Sequence, residues 1–208
     1  MPDWDEIFAK KGKYFIRPHP DMERLADLFS EKGVQRILDL GCGSGRHLLF
    51  LLKKGFEVYG LDGSPIGLEI TKNWLTEENL TSELTCQKIE EKFPYVEGFF
   101  DAIISIQVIH HNLIKDIMCT VNEINRILKT KGLIFITFPI LQNFYVKKQN
   151  MKKVEKRTYI PLTGQEKGLP HHFFTISEIK RVFSAFKLCE IYIDKTNHHA
   201  IFGYKVET

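Results

Sequence analysis

Residues 36–47 read Arg36-Ile37-Leu38-Asp39-Leu40-Gly41-Cys42-Gly43-Ser44-Gly45-Arg46-His47. The apolar residues before the glycines are typical of a buried strand, and the leucines at positions 48, 49, 51 and 52 recur at helical spacing. The segment therefore predicts a strand, a tight turn and a helix. Glycine lets a backbone approach a ligand closely, and the first helical turn offers free N–H groups to polar oxygens. The turn is a candidate ligand site, although three glycines can also simply shape a tight loop.

A second acidic residue supports the ligand interpretation. The segment 58–62 reads as the next strand and ends on Asp62, about twenty residues past the glycines, the separation at which a second βα unit brings a carboxylate to ribose hydroxyls. The glycine spacing argues against a dinucleotide, because a Gly-x-Gly-x-x-Gly fingerprint would need a third glycine where Arg46 stands. The pattern is instead Asp39-x-Gly41-x-Gly43-x-Gly45.

Together with Asp62, this pattern resembles the first motif of the class I S-adenosylmethionine-dependent methyltransferases, and the resemblance extends from about residue 37 to about residue 138. It implies a Rossmann-like α/β fold: a seven-stranded, mostly parallel sheet with one antiparallel strand, in the order 3-2-1-4-5-7-6, and helices on both faces. It also implies S-adenosylmethionine as cofactor and S-adenosylhomocysteine as product. The chain is similar to the methyltransferase type 11 and tellurite-resistance-like branch, which acts on small molecules.

The resemblance also assigns cofactor contacts. Ile89 stands where many relatives carry an aspartate that accepts from the adenine amine, so backbone groups, Glu90 and apolar packing would hold the base here. Ser64 would contact the ribose or only cap a helix, and Ile106 and Gln107 would meet the amino acid end of the cofactor. The expected cofactor-binding residues are Tyr14, Asp39, Gly41, Cys42, Gly43, Gly45, Arg46, Asp62, Gly63, Ser64, Ile89, Glu90, Ile106 and Gln107.

Composition favours a single domain over residues 1–208, since a chain of 208 residues can bury a sizeable core. The balance of 29 basic and 26 acidic residues is too even to indicate nucleic-acid binding. Four cysteines stand far apart without a Cys-x-x-Cys pair, which favours reduced thiols in a cytoplasmic protein. We expect no signal peptide and no membrane span.

Two segments are expected to cover the site. Residues 1–33 predict two helices, and by the resemblance they close over the cofactor; the apolar stripe formed by Trp4, Ile7 and Phe8 would also fit a helix docked on the core. Residues 139–172 lack clear periodicity and would hang over the carboxyl edge of the sheet as a substrate lid. The basic residues within 147–157 either form a solvated face or suit an anionic acceptor.

Histidines occur as three adjacent pairs, at 110–111, 171–172 and 198–199. Neighbours on a strand point to opposite faces, and the i,i+4 spacing of a helical metal pair is missing, so we expect no metal site. Single histidines near the pocket can act as a general base or as hydrogen-bonded spacers. The catalytic candidates are His110, His111, His171 and His172.

These features predict methyl transfer to an unidentified small-molecule acceptor. No Asn/Asp-Pro-Pro-aromatic motif follows the fourth strand, where Ser105-Ile106-Gln107-Val108 stands, and this disfavours methylation of nucleic acid bases. Within the enzyme interpretation, a protein or RNA methyltransferase is the alternative. An NAD-dependent oxidoreductase and a non-catalytic nucleoside-binding module are the other classes that the sequence leaves open.

Overall fold

The structure of the chain is a computed structural model that describes residues 4–13, 15–141 and 150–207. The helices are α1 (Trp4–Lys11), α2 (Met22–Glu31), α3 (Arg46–Lys53), α4 (Pro65–Glu77), α5 (Ile114–Ile127) and α6 (Ile176–Val182). The strands are β1 (Arg36–Leu40), β2 (Glu57–Asp62), β3 (Glu83–Cys86), β4 (Phe100–Ile106), β5 (Leu128–Pro139), β6 (Met151–Glu155), β7 (Thr158–Pro161), β8 (His171–His172), β9 (Phe186–Ile193) and β10 (His198–Lys205). Among these residues no helix combines the length and the apolar character needed to cross a bilayer.

Seven strands form one sheet in the order β3-β2-β1-β4-β5-β10-β9. Neighbouring strands from β3 to β5 are parallel, whereas β10 is antiparallel to both β5 and β9. Helices α3, α4 and α5 connect β1 to β2, β2 to β3 and β4 to β5, as parallel pairing requires, and the short link between β9 and β10 gives the reversal. The predicted Rossmann-like sheet with one reversed strand is confirmed. The predicted sixth and seventh strands are β9 and β10 here, because β6, β7 and β8 precede them in the chain and form a separate sheet.

Apolar layers cover both faces of the sheet. Alternation along β4 separates them, since Ile103 packs into the layer under α5 and α6 whereas Ala102 and Ile104 pack into the layer under α2, α3 and α4. Parallel strands covered on both sides need such continuous apolar sequence. The sheet is thereby rigid, and its carboxyl edge is a fixed platform for the turns that follow each strand.

Strand pairing decides two element boundaries. Helix α5 ends at Ile127 and β5 begins at Leu128, which is fully buried and pairs with Phe100. Phe186, which follows α6 closely, begins β9 and pairs with Lys205 of β10. In both places buried apolar residues fit a strand as well as a helix, and pairing with a neighbouring strand decides between them.

A second, three-stranded antiparallel sheet, in the order β6-β7-β8, lies within the segment for which no periodicity was expected. Its strands are two to five residues long. In β6 the consecutive exposed residues Lys152, Lys153 and Val154 hide the alternation that marks a half-buried strand. Short polar strands of this kind leave too little pattern for a sequence-based assignment.

A buried hydrogen bond ties the start of the chain to its end. His19, which precedes α2, places Nε2 3.0 Å from Oδ2 of Asp194 in the β9–β10 turn, and both side chains are almost fully buried. The same carboxylate accepts from the backbone N–H groups of Thr196 and His198 at 2.7 and 3.0 Å. Burial alone would raise the pKa of Asp194, but hydrogen bonds from His19, His198 and Thr196 outweigh it and lower the pKa to about 2.

Asp194→Asn should therefore destabilise the fold in a pH-dependent way. A carboxyl whose pKa falls from about 3.9 in the unfolded chain to about 2 in the folded one adds stability above pH 4 and loses it as the pH falls through 2. We expect a difference of about 1–2 kcal/mol from wild type at pH 7, shrinking by about half at pH 3. Urea denaturation at the two pH values measures it, and a difference independent of pH would contradict the assignment.

Candidate functional site

A cavity of about 840 Å³ opens at the carboxyl edge of the large sheet, beyond the ends of β1 to β5. This edge is where open α/β folds bind their ligands. Most lining residues come from the turns after the strands, from helix α1 and from the segment that carries the small sheet, and His198 of β10 and Phe15 add to them. They include Trp4, Asp5, Phe8, Phe15, Gly41, Cys42, Gly43, Arg46, Asp62, Gly63, Ser64, Lys88, Ile89, Glu90, Ile106, Gln107, Val108, His110, His111, Val154, Ile160, Glu166, Leu169, His171 and His198.

The glycine turn leaves no room for side chains. Gly41 and Gly43 have φ of +78° and +52°, conformations that L side chains rarely adopt. A Cβ on Gly41 would lie 2.3 Å from a methyl of Val108, and a Cβ on Gly43 would lie 2.9 Å from the ring of Phe8. The backbone at these positions is therefore packed directly against the cavity wall.

Asp62 joins the first two turns. Its carboxylate accepts from the N–H of Gly43 and from the N–H of Ser64, each at 2.8 Å. Burial raises the pKa of Asp62, while the hydrogen bonds from Ser64 and Gly43 oppose the rise. The residue thus sets the distance between the glycine turn and the start of α4, and it lines the cavity that both turns border.

Two expected cofactor residues lie behind the cavity wall. Asp39 is almost fully buried in β1, does not line the cavity, and has an oxygen, Oδ2, without a hydrogen-bond partner among the described residues. Burial raises the pKa of Asp39 to about 7, against the opposing charge of Arg46. Gly45, at the end of the turn, packs on Thr71 of α4. A direct cofactor contact of Asp39 or Gly45 stays a prediction that this geometry does not favour.

The remaining expected cofactor residues that the structure describes border the cavity: they are Gly41, Cys42, Gly43, Arg46, Asp62, Gly63, Ser64, Ile89, Glu90, Ile106 and Gln107. Tyr14 lies outside the described residues. Ser64 does cap α4, accepting from the N–H of Gly67 at 2.9 Å, and its hydroxyl bonds to Asp5. The serine therefore has a structural partner on each side before any ligand binds.

Helix α1 contributes three residues to the cavity wall. Trp4 and Phe8 belong to the apolar stripe that would also fit a helix docked on the core, and Asp5 was not singled out from the sequence. Trp4, Asp5 and Phe8 all face the cavity. Asp5 holds the helix on α4 through the hydroxyl of Ser64 and the N–H of Ile66, while Phe8 is buried under the glycine turn. The only sequence signal for this role was the aromatic stripe of the helix. Such a stripe is expected both for a helix docked on the core and for one that covers a site, so it does not distinguish the two.

The catalytic candidates divide into a cluster and an outlier. His110 and His111 follow β4 in a turn closed by the N–H of His111 and the carbonyl of Val108 at 2.9 Å. Their ring centroids lie 4.0 Å apart, and the ring of His171 lies 4.6 Å from that of His111. His172 points to the other side of β8, with Nδ1 2.8 Å from the hydroxyl of Thr158, and does not line the cavity.

One premise of the sequence argument against a metal site is thus wrong. Opposite orientation of neighbours holds on a strand, as it does for His171 and His172, but His110 and His111 lie in a turn. Gln107, at φ +63°, reverses the chain after β4 and returns the turn towards β8, where the N–H of His172 bonds to the carbonyl of His110 at 2.8 Å. One ligand nitrogen from each of His110, His111 and His171 falls within 4.8 Å of the others.

The fold is the one that the resemblance to the class I, S-adenosylmethionine-dependent methyltransferases predicts. Residues 38–136 match the family model described as a methyltransferase domain. The predicted cofactor agrees with this match, and the match and the reversed strand both argue against the dinucleotide-dependent oxidoreductase interpretation.

Among proteins of similar sequence, an uncharacterised methyltransferase of Synechocystis is 30% identical over 99 residues, covering 48% of this chain and 44% of that protein. An 18S rRNA (guanine-N(7))-methyltransferase of Schizosaccharomyces pombe is 33% identical over 110 residues, covering 52% and 40%. A 2-heptyl-1-hydroxyquinolin-4(1H)-one methyltransferase of Mycobacteroides abscessus is 28% identical over 106 residues, covering 51% and 46%. The matched region thus spans less than half the length of these relatives.

Solved structures share the fold. A Pyrococcus horikoshii protein superposes with a TM-score of 0.75 at 17% identity over 99% of both chains. An S-adenosylmethionine-dependent methyltransferase of Methanosarcina mazei gives a TM-score of 0.71 at 18% identity, covering 83% and 93%. A chain from a Haloferax volcanii complex between the Trm112 methyltransferase activator and a putative methyltransferase gives 0.71 at 16% identity over the full length of both.

Proposed function

We propose that this chain transfers the methyl group of S-adenosylmethionine to a small-molecule acceptor that binds beside the cofactor. The observation that carries the proposal is the cavity of about 840 Å³, which runs from the glycine turn and Asp62 to His111 and His171. Pockets for single small ligands occupy about 300–1,000 Å³, so a cavity near the upper end has room for a cofactor and a small acceptor.

In the proposed reaction a nucleophilic atom of the acceptor attacks the methyl carbon in line with the carbon–sulfur bond. That bond breaks, its electron pair stays on sulfur, and S-adenosylhomocysteine is released. The protein mainly has to align the two reactants and exclude water, because the sulfonium is already a good electrophile. A protonated acceptor also has to lose a proton, and His110, His111 and His171 are the candidate acceptors of that proton that border the cavity.

The cavity wall supports a mainly apolar, uncharged acceptor. Val154, Ile160 and Leu169, from the segment that carries the small sheet, contribute apolar surface to it. Lys152 and Lys153 of β6 are exposed and do not line the cavity, so the basic segment gives no support to an anionic acceptor; Lys147 and Lys148 lie outside the described residues.

The same geometry supports the expected covering roles. Helix α1, within residues 1–33, closes one side of the cavity beside the glycine turn. The small sheet, within residues 139–172, closes the side that faces His111, whose ring stands edge-on to Trp4 at 5.1 Å. In the proposal the first element covers the cofactor and the second covers the acceptor, all within one domain over residues 1–208.

Incubating the chain with a cell extract and S-adenosylmethionine labelled in the methyl group tests the acceptor class. We expect a labelled compound of low molecular mass, separable from the cofactor by chromatography, and little label in protein or RNA. An Asp62→Ala chain, which lacks the carboxylate that joins the two turns, should produce no such compound. Label that travels with macromolecules would contradict the proposal.

A macromolecular acceptor is the second candidate function. It is favoured by the similarity to an rRNA methyltransferase and by the structural likeness to a chain from the Trm112 activator complex. In the same experiment, macromolecular label that ribonuclease releases assigns the acceptor to RNA. Macromolecular label that protease releases assigns it to protein.

A further inference from the structure

We propose that His110, His111 and His171 form a binding site for a divalent transition-metal ion, with a coordination position open to the cavity. The inference deepens the proposed function, on which it partly rests: the open position would hold a hydroxyl, thiol or similar heteroatom of the methyl acceptor. The cluster brings together three imidazoles from two separate parts of the chain, which is the donor set of a three-histidine zinc site.

The distances are close to those that a metal requires. One nitrogen from each ring lies within 4.8 Å of the others. In a tetrahedral site with metal–nitrogen bonds of about 2.0–2.1 Å, the nitrogens stand about 3.3 Å apart. Side-chain rotations would have to close the remaining gap of up to about 1.5 Å. The turn that carries His111 is already anchored to β8 by the hydrogen bond from the N–H of His172 to the carbonyl of His110.

Two of the rings each have one nitrogen that bonds to none of the described residues. Nδ1 of His110 and Nδ1 of His111 are buried and lack hydrogen-bond partners among the described residues. Unpaired buried polar atoms are costly, and a bound ion is one of the ordinary reasons for them.

The third ring is oriented by its surroundings. Nδ1 of His171 lies 3.0 Å from the carbonyl of Leu169, and its Nε2 lies 2.9 Å from the carboxylate of Glu166. Whichever nitrogen binds the ion, the other keeps an oxygen acceptor that fixes the ring, as in the carboxylate–histidine–metal arrangements of known sites. Glu166 also lines the cavity beside this ring.

The donor set selects the kind of ion. Imidazole nitrogens suit zinc, copper, nickel and iron, whereas magnesium and calcium prefer oxygen ligands. Three protein ligands leave a position for a small molecule. An acceptor heteroatom bound there loses its proton to solvent more readily, because the ion stabilises the anion, and the anion then attacks the methyl carbon while sulfur keeps the electron pair of the broken bond.

Cobalt(II) titration of the chain, freed of any histidine tag and treated with chelator, tests the site without cofactor or acceptor. We expect one equivalent to bind per chain with the visible absorption of a tetrahedral nitrogen-rich site, and zinc to displace it. His111→Ala should remove this binding, because it deletes the ligand that is least buried of the three. His199→Gln is the matched control, since Nδ1 of His199 is also buried and without a partner among the described residues but His199 does not line the cavity. This variant should bind cobalt like wild type.

A second readout does not depend on deleting a ligand. In a Trp74→Phe chain the remaining tryptophan is Trp4, whose ring lies 5.1 Å from that of His111. One equivalent of cobalt(II) should quench its fluorescence, and chelator should restore it. Binding below one equivalent, binding retained in His111→Ala, or fluorescence unchanged by cobalt would each overturn the inference. Because these measurements need no methyl transfer, their failure and the failure of the proposed function are distinguishable.

Discussion

Replacing Gly41 with alanine is expected to abolish measurable binding of S-adenosylhomocysteine and to lower the melting temperature by about 5–15 °C. An L residue at φ +78° costs about 1–2 kcal/mol, and the new Cβ would lie 2.3 Å from Val108, an overpacking that costs about 1–3 kcal/mol more. In a chain of this size each kcal/mol shifts the melting midpoint by about 2–4 °C. Relief of the clash must move the glycine turn or Val108, and both border the cavity. Thermal denaturation and calorimetric titration measure the two effects.

Gly55→Ala is the matched control for this variant. Gly55 has an even larger φ, +92°, but a Cβ there meets nothing within 4 Å. Gly55→Ala should therefore lose only the stability that an L residue costs in a left-handed backbone conformation, and it should bind S-adenosylhomocysteine normally. The double variant Gly41→Ala/Val108→Ala should recover part of the stability, because the closest contacts are to the two methyl groups of Val108. A Gly41→Ala chain that is no worse than Gly55→Ala would contradict this account of the turn.

Asp62→Ala is expected to weaken binding of S-adenosylhomocysteine by about 100-fold or more, equivalent to about 2.7 kcal/mol. The change removes the acceptor of two backbone N–H groups, those of Gly43 and Ser64, and leaves both turns without the group that spaces them. It also deletes the carboxylate that the family resemblance assigns to the ribose hydroxyls. Hydrogen bonds to a charged group are worth about 1.5–3 kcal/mol each, so two suffice for the expected loss.

Asp101→Ala is its control at the opposite edge of the sheet. The Asp101 carboxylate likewise accepts from two backbone N–H groups, those of Gln35 and Arg36, at 3.1 and 2.8 Å. It lies near the start of β4, away from the cavity. Asp101→Ala should lower stability without changing the dissociation constant of S-adenosylhomocysteine by more than a few fold. Equal weakening by both variants would show that the effect of Asp62→Ala is one of general stability.

Strong local signals made the large sheet predictable from the sequence. The glycine turn, Asp62 at the end of a strand, and Ser64-Pro65 at the start of a helix each fix local geometry through one or two residues. The small sheet had no such signal, because β6 and β7 are short and half-exposed, and because their pairing depends on tertiary contacts. Tertiary contacts also set the start of β5, where Leu128 joins the strand through its pairing with Phe100.

The sequence predicted those parts of the candidate site that a single local segment determines, and it missed those that depend on contacts between distant segments. The turns after β1, β2 and β4 are local features, and the sequence placed them at one edge. The cluster of His110, His111 and His171 depends on a turn set by the left-handed backbone of Gln107 and on the position of β8, which the sequence does not reveal. Likewise, α1 reaches the cavity through Asp5 and its contacts with Ser64 and Ile66 of α4, which no spacing rule predicts.

The most direct measurement of the central claim is a calorimetric titration of the wild-type chain with S-adenosylmethionine, S-adenosylhomocysteine and NAD in parallel. We predict one site per chain for the first two ligands and no heat with NAD, because the space that a dinucleotide fingerprint gives to a third glycine is filled by Arg46. Binding of NAD in a one-to-one ratio, or absence of binding by both sulfur-containing nucleosides, would contradict a cofactor site built on the glycine turn and Asp62.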